Sequence, residues 1–279
     1  MSERSVVRVV KGMPTIEGAG VSVRRTLGSM TLPSLDPFLL LDEIYSDDPK
    51  RPLPGFPDHP HRGFETVTYV LAGVVEHRDS RGNHGILGPG SVQWMTAGRG
   101  IIHSEMPAHR DGLVWGFQLW VNLPAKDKMM EPRYQDIPPE DVPVVALQQG
   151  GCVRVIAGEC EGRIGPVQGV VTAPLMMDCQ LKENETFNCS IPVGHAAFAY
   201  VFSGGAVFGG SADVMHAGHL VVFGDGESVT VSGASDGGRL LLLAAAPIGE
   251  PVVRHGPFVM SSHAELMQAF QDFNNGTLA

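Results

Sequence analysis

Apolar positions in this chain recur in short runs, either alternating with polar positions or continuous for about the length of a β-strand. Six such runs are Thr66–Leu71, Ser91–Met95, Val114–Val121, Ala197–Phe202, His219–Phe223 and Leu240–Ala245. Runs this short, repeated along the whole chain, are typical of strands rather than of helices. The pattern therefore predicts an all-β protein.

Turns rich in glycine and proline separate the runs. Leu87–Gly90, Ser203–Gly205 and Gly224–Gly226 each stand between two apolar runs, and the chain holds 35 Gly and 21 Pro. Many short strands joined by tight turns predict a sandwich or a barrel.

One convincing helix is predicted, at the C-terminal end. Ser262 and Glu265 form a capping box, and Asn275-Gly276 ends the pattern. An apolar stripe lies between them, made of Leu266, Ala269, Phe270 and Phe273. We expect this stripe to pack on a sheet.

The two halves of the chain resemble each other. Tyr69–Gly73 matches Tyr200–Gly204, and the turn at Pro89–Val92 matches Ala217–Leu220 in the same order. Two ordered matches favour an internal duplication. The polar, proline-rich stretch Pro132–Pro143 is typical of an interdomain linker. We therefore expect an N-terminal domain over residues 1–135, a linker at about 136–143 and a C-terminal domain over 144–279.

Composition and charge narrow the function. Apolar residues make up 43% of the chain and the net charge is −10. Residues 155–279 hold 4 basic and 12 acidic residues, so direct nucleic-acid binding is not expected. No run has the length of a membrane span or a signal peptide, and the four cysteines show no CxxC spacing. We expect a cytoplasmic protein with reduced thiols.

Two pairs of polar residues have the spacing of metal ligands. His59 and His61 open a periodic run, and His103 and Glu105 follow 44 residues later. Side chains at i and i+2 of a strand share one face, about 6.6 Å apart along the backbone. On neighbouring antiparallel strands, the two pairs would face each other. The spacing predicts one metal per chain, held by His59, His61, His103 and Glu105.

The ligand types narrow the choice of metal. Imidazole and carboxylate without thiolate suit Fe(II), Mn, Ni, Cu or Zn. Three nitrogens and one oxygen with open positions favour octahedral Fe(II) over closed tetrahedral zinc. A His-Pro-His segment on its own could equally be a surface turn. The other eight histidines are expected to be surface or hydrogen-bonded residues: His77, His84, His109, His195, His216, His219, His255 and His263.

The duplication allows a prediction of whether the second half of the chain keeps the metal site. Aligned through the matching segments, Ser190 and Pro192 stand where His59 and His61 stand, and Val231 and Gly233 replace His103 and Glu105. None of the four is an expected ligand. The C-terminal domain is therefore predicted to lack a metal site.

Several segments resemble the signature segments of the pirins, which belong to the cupin superfamily. These segments are Phe38–Glu43, Pro60–Tyr69, Thr96–Glu105 and Ile191–Phe198. The resemblance covers nearly the whole chain. It implies two tandem cupin (double-stranded β-helix or jelly-roll) barrels and a metal in the first, bound by the residues matching His59, His61, His103 and Glu105. Glu65, a ligand in the general cupin pattern, is expected instead to be an interior hydrogen-bonding partner.

Some pirins are similar to flavonol 2,3-dioxygenases (quercetinases), which open the flavonol heterocycle with O2 and release carbon monoxide. The resemblance thus implies an oxidoreductase with a small planar aromatic substrate. Glu105 is the candidate base. Apolar walls are expected from Phe56, Phe64, Trp94, Met95 and Phe117.

Other pirins resemble non-catalytic iron or redox sensors, which bind a transcription factor or a metabolic enzyme. The same ligands serve both roles, so this alternative and a possible protein partner stay open. A different cupin reaction, isomerisation or decarboxylation, also stays open because fold does not fix chemistry.

Overall fold

The computed structural model describes residues 2–48, 53–108 and 112–279. The chain divides into two compact units. Unit N comprises Pro14–Pro139 and Ile248–Ala279, and unit C comprises Met1–Met13 and Glu140–Pro247. Strands dominate both, which confirms the predicted all-β class. None of the helices in the described ranges is long and apolar enough to cross a membrane.

The first twelve strands run from the N-terminus to the middle of the chain. They are β1 (Val6–Lys11), β2 (Met13–Glu17), β3 (Val21–Leu27), β4 (Phe38–Ser46), β5 (Phe56–His61), β6 (Phe64–Ala72), β7 (Val75–Asp79), β8 (His84–Leu87), β9 (Val92–Thr96), β10 (Ile101–Pro107), β11 (Val114–Asn122) and β12 (Arg133–Ile137). Short 3-10 helices follow β11 and β12, at Ala125–Asp127 and Pro139–Asp141.

The remaining elements complete the chain. They are β13 (Val144–Ala146), β14 (Cys152–Ala157), β15 (Glu159–Cys160), β16 (Arg163–Ile164), β17 (Leu175–Leu181), β18 (Thr186–Ser190), β19 (Ala196–Phe208), β20 (Met215–His216), β21 (His219–Phe223), β22 (Ser228–Ala245), β23 (Val253–His255), β24 (Phe258–Met260) and helix α1 (His263–Asn274).

Unit N is built on two sheets. In the described residues, one has the strand order β12-β9-β6-β11-β4-β3-β2 and the other β5-β10-β7-β8. The central strand β6 is buried on both faces over Phe64–Val70, and Phe64 packs with Leu39 and Val259. Its buried polar side chains, which alternate with apolar ones, must therefore find hydrogen-bond partners inside the unit.

The C-terminal helix is confirmed, with its predicted cap. The Ser262 hydroxyl accepts a hydrogen bond from the Glu265 amide at 3.3 Å, and the Glu265 carboxylate accepts one from the Ser261 amide at 3.0 Å. Leu266 and Ala269 are buried against Phe258 and Met260 of β24. The stripe therefore seats α1 within unit N.

The division into units differs from a sequential split at residues 1–135 and 144–279. Strand β1 pairs with β21 in unit C, where Val9 faces Val221, while β23, β24 and α1 belong to unit N. The physical reason is pairing and packing: β1 extends the sheet of unit C, and α1 buries its apolar stripe in unit N. Periodicity predicts strands and the C-terminal helix, but it does not say which sheet or unit an element joins.

The predicted linker Pro132–Pro143 contains a strand. β12 pairs antiparallel with β9, Tyr134 facing Met95, and the Gln93 amide donates to Asp136 at 2.8 Å. Ile137 is buried. The prolines stand outside β12, so they bound an edge strand instead of interrupting it.

Unit C is organised around two long strands. In the part of the chain that the structure describes, its main sheet has the order β1-β21-β19-β22-β17-β14-β13, with β18 paired to β22 and β20 to β19. Register shifts between Val201 and Ser203 and between Gly204 and Ala206 bend the β19–β22 pair. An apolar core fills the interior, including Phe187, Phe208, Phe223, Val231, Leu240 and Leu242.

Candidate metal centre

Three histidines converge where β5 and β10 pair. His103 lies directly across from His59 in this antiparallel ladder, and Ile101 lies across from His61. The ring centroids are 4.7 Å apart for His59 and His61, 4.4 Å for His59 and His103, and 5.0 Å for His61 and His103. The predicted facing of the two strands is thus confirmed.

The three imidazoles fit a single ion. One ring nitrogen from each lies within 4.8 Å of the others. Ligands about 2.1 Å from a shared ion are at most about 4.2 Å apart, so small side-chain rotations close the set. His103 is 1% exposed, and neither of its ring nitrogens has a hydrogen-bond partner among the described residues. An ion would satisfy a buried polar group that is otherwise costly.

Backbone carbonyls orient the other two rings. The Nδ1 atom of His59 lies 2.8 Å from the Pro57 carbonyl oxygen, and Nδ1 of His61 lies 3.4 Å from the Pro257 carbonyl oxygen. A ring that donates from Nδ1 keeps Nε2 free as a metal ligand. The carbonyls therefore favour the tautomer that a metal needs.

Burial keeps two of the imidazoles neutral. It lowers the pKa of His61 and His103 well below the usual value, and the neighbouring imidazoles lower it further. Desolvation disfavours a charged ring, and adjacent rings disfavour two positive charges. The neutral imidazole is the form that binds a metal ion.

Glu105 lies at the same cleft but is bonded elsewhere. Its Oε1 accepts a hydrogen bond from the Thr68 hydroxyl at 2.5 Å, and its Oε2 accepts one from the Gln118 amide at 3.1 Å. The group of mutually close ligand atoms consists of the three histidines without Glu105. The carboxylate thus lies outside the spacing that a shared ion allows, and ligation by Glu105 stays a proposal.

Sequence reasoning missed a further histidine, which is buried beside the three. His77 faces Glu105 across the β7–β10 pair, and its ring centroid is 5.2 Å from that of His103. It is 1% exposed, with neither nitrogen hydrogen-bonded to a described residue. The expectation of an isolated surface or hydrogen-bonded residue is therefore wrong. No sequence spacing reveals this contact, because it depends on which strand pairs with β10. His109 lies outside the described residues.

A cleft of about 680 Å³ opens beside the histidines. Its apolar lining includes Val23, Leu40, Ile44, Phe56 and Trp120, and its charged lining includes Arg25, Asp42 and Arg254. The Trp120 ring centroid is 5.3 Å from that of His61, with the rings at 74°. Sequence reasoning did not select Trp120, since its alternation in β11 is also that of a core residue.

The expected apolar walls are only partly found. Phe56 lines the cleft, Phe117 lines a separate cavity of about 30 Å³ beside Glu105, and Phe64 packs edge-on to His61 at 5.0 Å. Trp94 and Met95 are buried and line neither cavity. Met95 packs with Ala97, Ile101 and Tyr134 instead.

The chain just after His61 is fixed by buried cations. The Arg62 guanidinium donates to the Arg99 carbonyl and, at 2.6 Å, to the Asp272 carboxylate. The Lys128 ammonium donates to the Gly63 carbonyl at 2.8 Å and the Asn122 side chain at 2.6 Å. Burial lowers the pKa of Lys128 to about 8. Gly63 is required here, because a Cβ would lie 2.0 Å from the Val259 carbonyl oxygen.

Glu65 is an interior hydrogen-bonding residue, as expected. Its Oε1 accepts a hydrogen bond from the Thr96 hydroxyl at 2.6 Å, and burial raises the pKa of the carboxyl group. Glu65 stands at the start of β6, opposite Thr96 of β9. It is not among the three residues whose ligand atoms converge.

The strand pairing in unit C corrects the alignment of the two halves of the chain. In the β18–β22 pair, Val231 faces Phe187, whereas Ser190 faces Ser228. Phe187 and Cys189, not Ser190 and Pro192, therefore correspond to His59 and His61. The connection from β18 to β19 has five residues and that from β5 to β6 has two, which accounts for the three-residue shift.

These unit C positions belong to an apolar core. Phe187, Cys189 and Val231 are all buried in it, and Val231 is 0% exposed. Burial raises the pKa of Cys189 to about 12, so the thiol does not ionise near neutral pH. Because a thiolate is the metal-binding form of cysteine, this position is a poor ligand.

Comparison with known proteins identifies the family. The sequence model of the Pirin family matches residues 20–121, and that of the Pirin C-terminal cupin domain matches residues 176–279. A pirin-like protein of Caulobacter vibrioides is 47% identical over 281 residues, which cover 99% of each chain. The chain belongs to the pirin family. A pirin-like protein of Solanum lycopersicum is 46% identical over 275 residues, covering 98% of this chain and 92% of that protein.

A solved structure shares the architecture. The crystal structure of quercetin 2,3-dioxygenase from Acinetobacter baumannii superposes with a TM-score of 0.91 at 32% identity, covering 100% of this chain and 99% of that one. The predicted pair of cupin domains with a C-terminal helix is thereby confirmed. In this pirin, the histidine group lies in the N-terminal cupin domain.

Proposed function

We propose that this pirin is a metal-dependent dioxygenase that opens the heterocycle of a flavonol such as quercetin with O2 and releases carbon monoxide. The observation that carries the proposal is the convergence of three imidazoles beside a cleft with apolar walls. The similarity to a quercetin 2,3-dioxygenase over the full chain supports the substrate class.

His59, His61 and His103 would hold one divalent ion, with Glu105 as the fourth ligand when its side chain turns toward the histidines. Fe(II) is our first assignment, because a set of three nitrogens and one oxygen leaves positions open in an octahedral ion. Mn, Ni, Cu and Zn are the alternatives. The bound ion would act as a Lewis acid toward the flavonol 3-oxygen.

The cleft has the size and lining for a planar aromatic molecule. Its volume of about 680 Å³ lies within the usual range for small-molecule sites. Phe56 and Trp120 present aromatic surface next to His59 and His61. These rings would orient the flavonol and exclude water from its reacting edge.

Glu105 is the proposed proton acceptor for the flavonol 3-hydroxyl. The Thr68 oxygen contacts both Glu105 Oε1 at 2.5 Å and Gln118 Oε1 at 2.8 Å, while the Gln118 amide nitrogen contacts Glu105 Oε2 at 3.1 Å. Thr68 and Gln118 can supply one hydrogen each to these three contacts. With the carboxylate ionised, one of the three contacts lacks a hydrogen, whichever way the amide is turned. A proton that Glu105 accepts from the flavonol would supply that hydrogen.

The test starts with metal analysis of protein purified without a metal-affinity column. Quercetin is then added without oxygen and its absorption spectrum is followed; oxygen is added last, and carbon monoxide is measured. We expect one metal per chain, a spectral shift on anaerobic binding, and one carbon monoxide released per flavonol consumed. The His103→Ala variant should show neither the shift nor the gas.

A metal-loaded protein that binds no flavonol and releases no carbon monoxide would contradict the proposal. A stable protein partner captured by such an inactive, metal-loaded chain would favour the sensor role instead. In both cases, only the metal analysis tests whether the three histidines bind the metal.

A further inference from the structure

Two polar side chains hold Glu105 from the opposite sheet. Thr68 of β6 and Gln118 of β11 face each other directly across the strand pair, whereas Glu105 lies on β10 of the other sheet. Buried polar groups on the inner face of a sheet are unusual unless they serve a partner. Here the partner of both is the Glu105 carboxyl group.

The pair occupies both oxygens of that carboxyl group. Thr68 bonds Oε1 at 2.5 Å and Gln118 bonds Oε2 at 3.1 Å. Glu105 is 6% exposed, so water offers little competition. In this position the carboxylate lies outside the mutually close nitrogens of the histidines. The same hydrogen bonds therefore keep Glu105 from completing a four-ligand set.

Glu105 also lies between two cavities. It lines the large cleft on the histidine side, and it lines the cavity of about 30 Å³ that Thr68, Phe117 and Gln118 enclose. Such a cavity holds about one water molecule, which leaves room for a carboxyl group to change rotamer. The carboxyl group thus borders a space on each side.

We propose that Thr68 and Gln118 are positioning residues that hold the Glu105 carboxyl group in a detached position and compete with the metal for it. The inference rests on the metal site of the proposed function. In it, these two residues determine how often the carboxylate is bound to the metal and how often it is detached. A hydrogen bond to a charged group is strong enough to shift such a balance by about tenfold or more. Removing it should favour the metal-bound position.

The test is calorimetric titration of the metal-free protein with Ni(II), without flavonol or oxygen. We expect Thr68→Val and Gln118→Leu each to bind Ni(II) about tenfold more tightly than the wild type, the effect of one such hydrogen bond. Thr68→Ser keeps the hydroxyl and should restore wild-type affinity. Thr96→Val and Gln93→Leu are matched controls, since they remove a buried hydroxyl bonded to Glu65 and a buried amide bonded to Asp136. Neither should change affinity.

The opposite sign would overturn the inference. If Thr68 and Gln118 orient Glu105 as a ligand, their loss should weaken Ni(II) binding by about 10- to 100-fold. Unchanged affinity would also refute competition. In a Glu105→Ala background, Thr68→Val should have no further effect. If Thr68→Val does not fold, Thr68→Ala and Gln118→Leu give the same test. Failure to find flavonol turnover would leave these binding results unaffected.

Discussion

The two cupin units place different chemistry at matching positions of a similar ladder. In unit N, the β5–β10 pair sets His59 opposite His103, beside a cleft. In unit C, the β18–β22 pair sets Phe187 opposite Val231, inside an apolar core. One ladder therefore presents imidazoles to a ligand, and the other fills its interior with hydrocarbon.

The difference teaches how a duplicated barrel divides its tasks. A ligand set in a barrel interior leaves buried polar atoms, such as both ring nitrogens of His103, without partners among the described residues. Such atoms cost stability unless an ion satisfies them. A core of Phe187, Val231 and their neighbours carries no such cost, because packed apolar groups need no partner. The apolar interior of unit C stabilises the fold, whereas unit N carries the histidine group.

The sharpest test of the reactive side is Glu105→Gln. If Glu105 accepts the flavonol proton, turnover per bound metal should fall by about 100- to 10,000-fold, the range for loss of a general base. The three imidazoles should still retain the ion. Carbon monoxide release by Fe(II)-saturated protein measures it. If Glu105 only fixes geometry, turnover per iron would stay near that of the wild type.

The packed side is tested by Phe187→Ala. Truncating a buried phenylalanine should lower the free energy of unfolding by about 3–5 kcal/mol, because a cavity replaces well-packed contacts. Metal content should not change. Denaturant unfolding and metal analysis on the same sample check both. Loss of metal in this variant would contradict the assignment of the metal site to unit N alone, since unit C would then contribute to metal binding.

A buried cation in unit N gives a pH-dependent prediction. Burial lowers the pKa of Lys128 from 10.5 to about 8, so the unfolded chain binds more protons between those values and stability rises with pH. Relative to Lys128→Met, the wild type should gain on the order of 3 kcal/mol between pH 8 and 10.5. Urea unfolding at several pH values measures this difference. A constant difference would show that the ammonium group is not destabilised by burial.

The smallest effect is expected at His195. It is the histidine next to β19 in unit C, where the Arg4 guanidinium donates to its backbone carbonyl at 2.8 Å. His195→Ala should leave metal content and Ni(II) affinity at the wild-type level. Reduced metal content would mean that unit C holds ligands which its strand register does not indicate.

Local patterns predicted much of this molecule. Strands such as β6, β11 and β21 follow directly from their apolar runs, and the cap of α1 follows from Ser262 and Glu265. The i, i+2 spacing of His59 and His61 predicted their shared face. Each of these features depends on residues close together in sequence.

The remainder depended on long-range pairing. His77 reaches the site only because β7 pairs with β10, and Thr68 reaches Glu105 only because two sheets face each other. The two matching segments of the halves do not reveal the three extra residues before β19. An alignment through them therefore places Ser190, instead of Phe187, at the position of His59. The N-terminal strand belongs to unit C and the C-terminal helix to unit N. This assignment likewise depends on sheet pairing and helix packing between residues far apart in sequence.

The central claim is that unit N holds one metal ion through three histidines, and that unit C holds none. The most direct measurement is metal content per chain in the wild type and in His103→Ala, each purified without a metal-affinity column. We expect one equivalent in the wild type and less than about a tenth in the variant, because two imidazoles with a detached carboxylate bind weakly. Two equivalents in the wild type, or a full equivalent in His103→Ala, would contradict it.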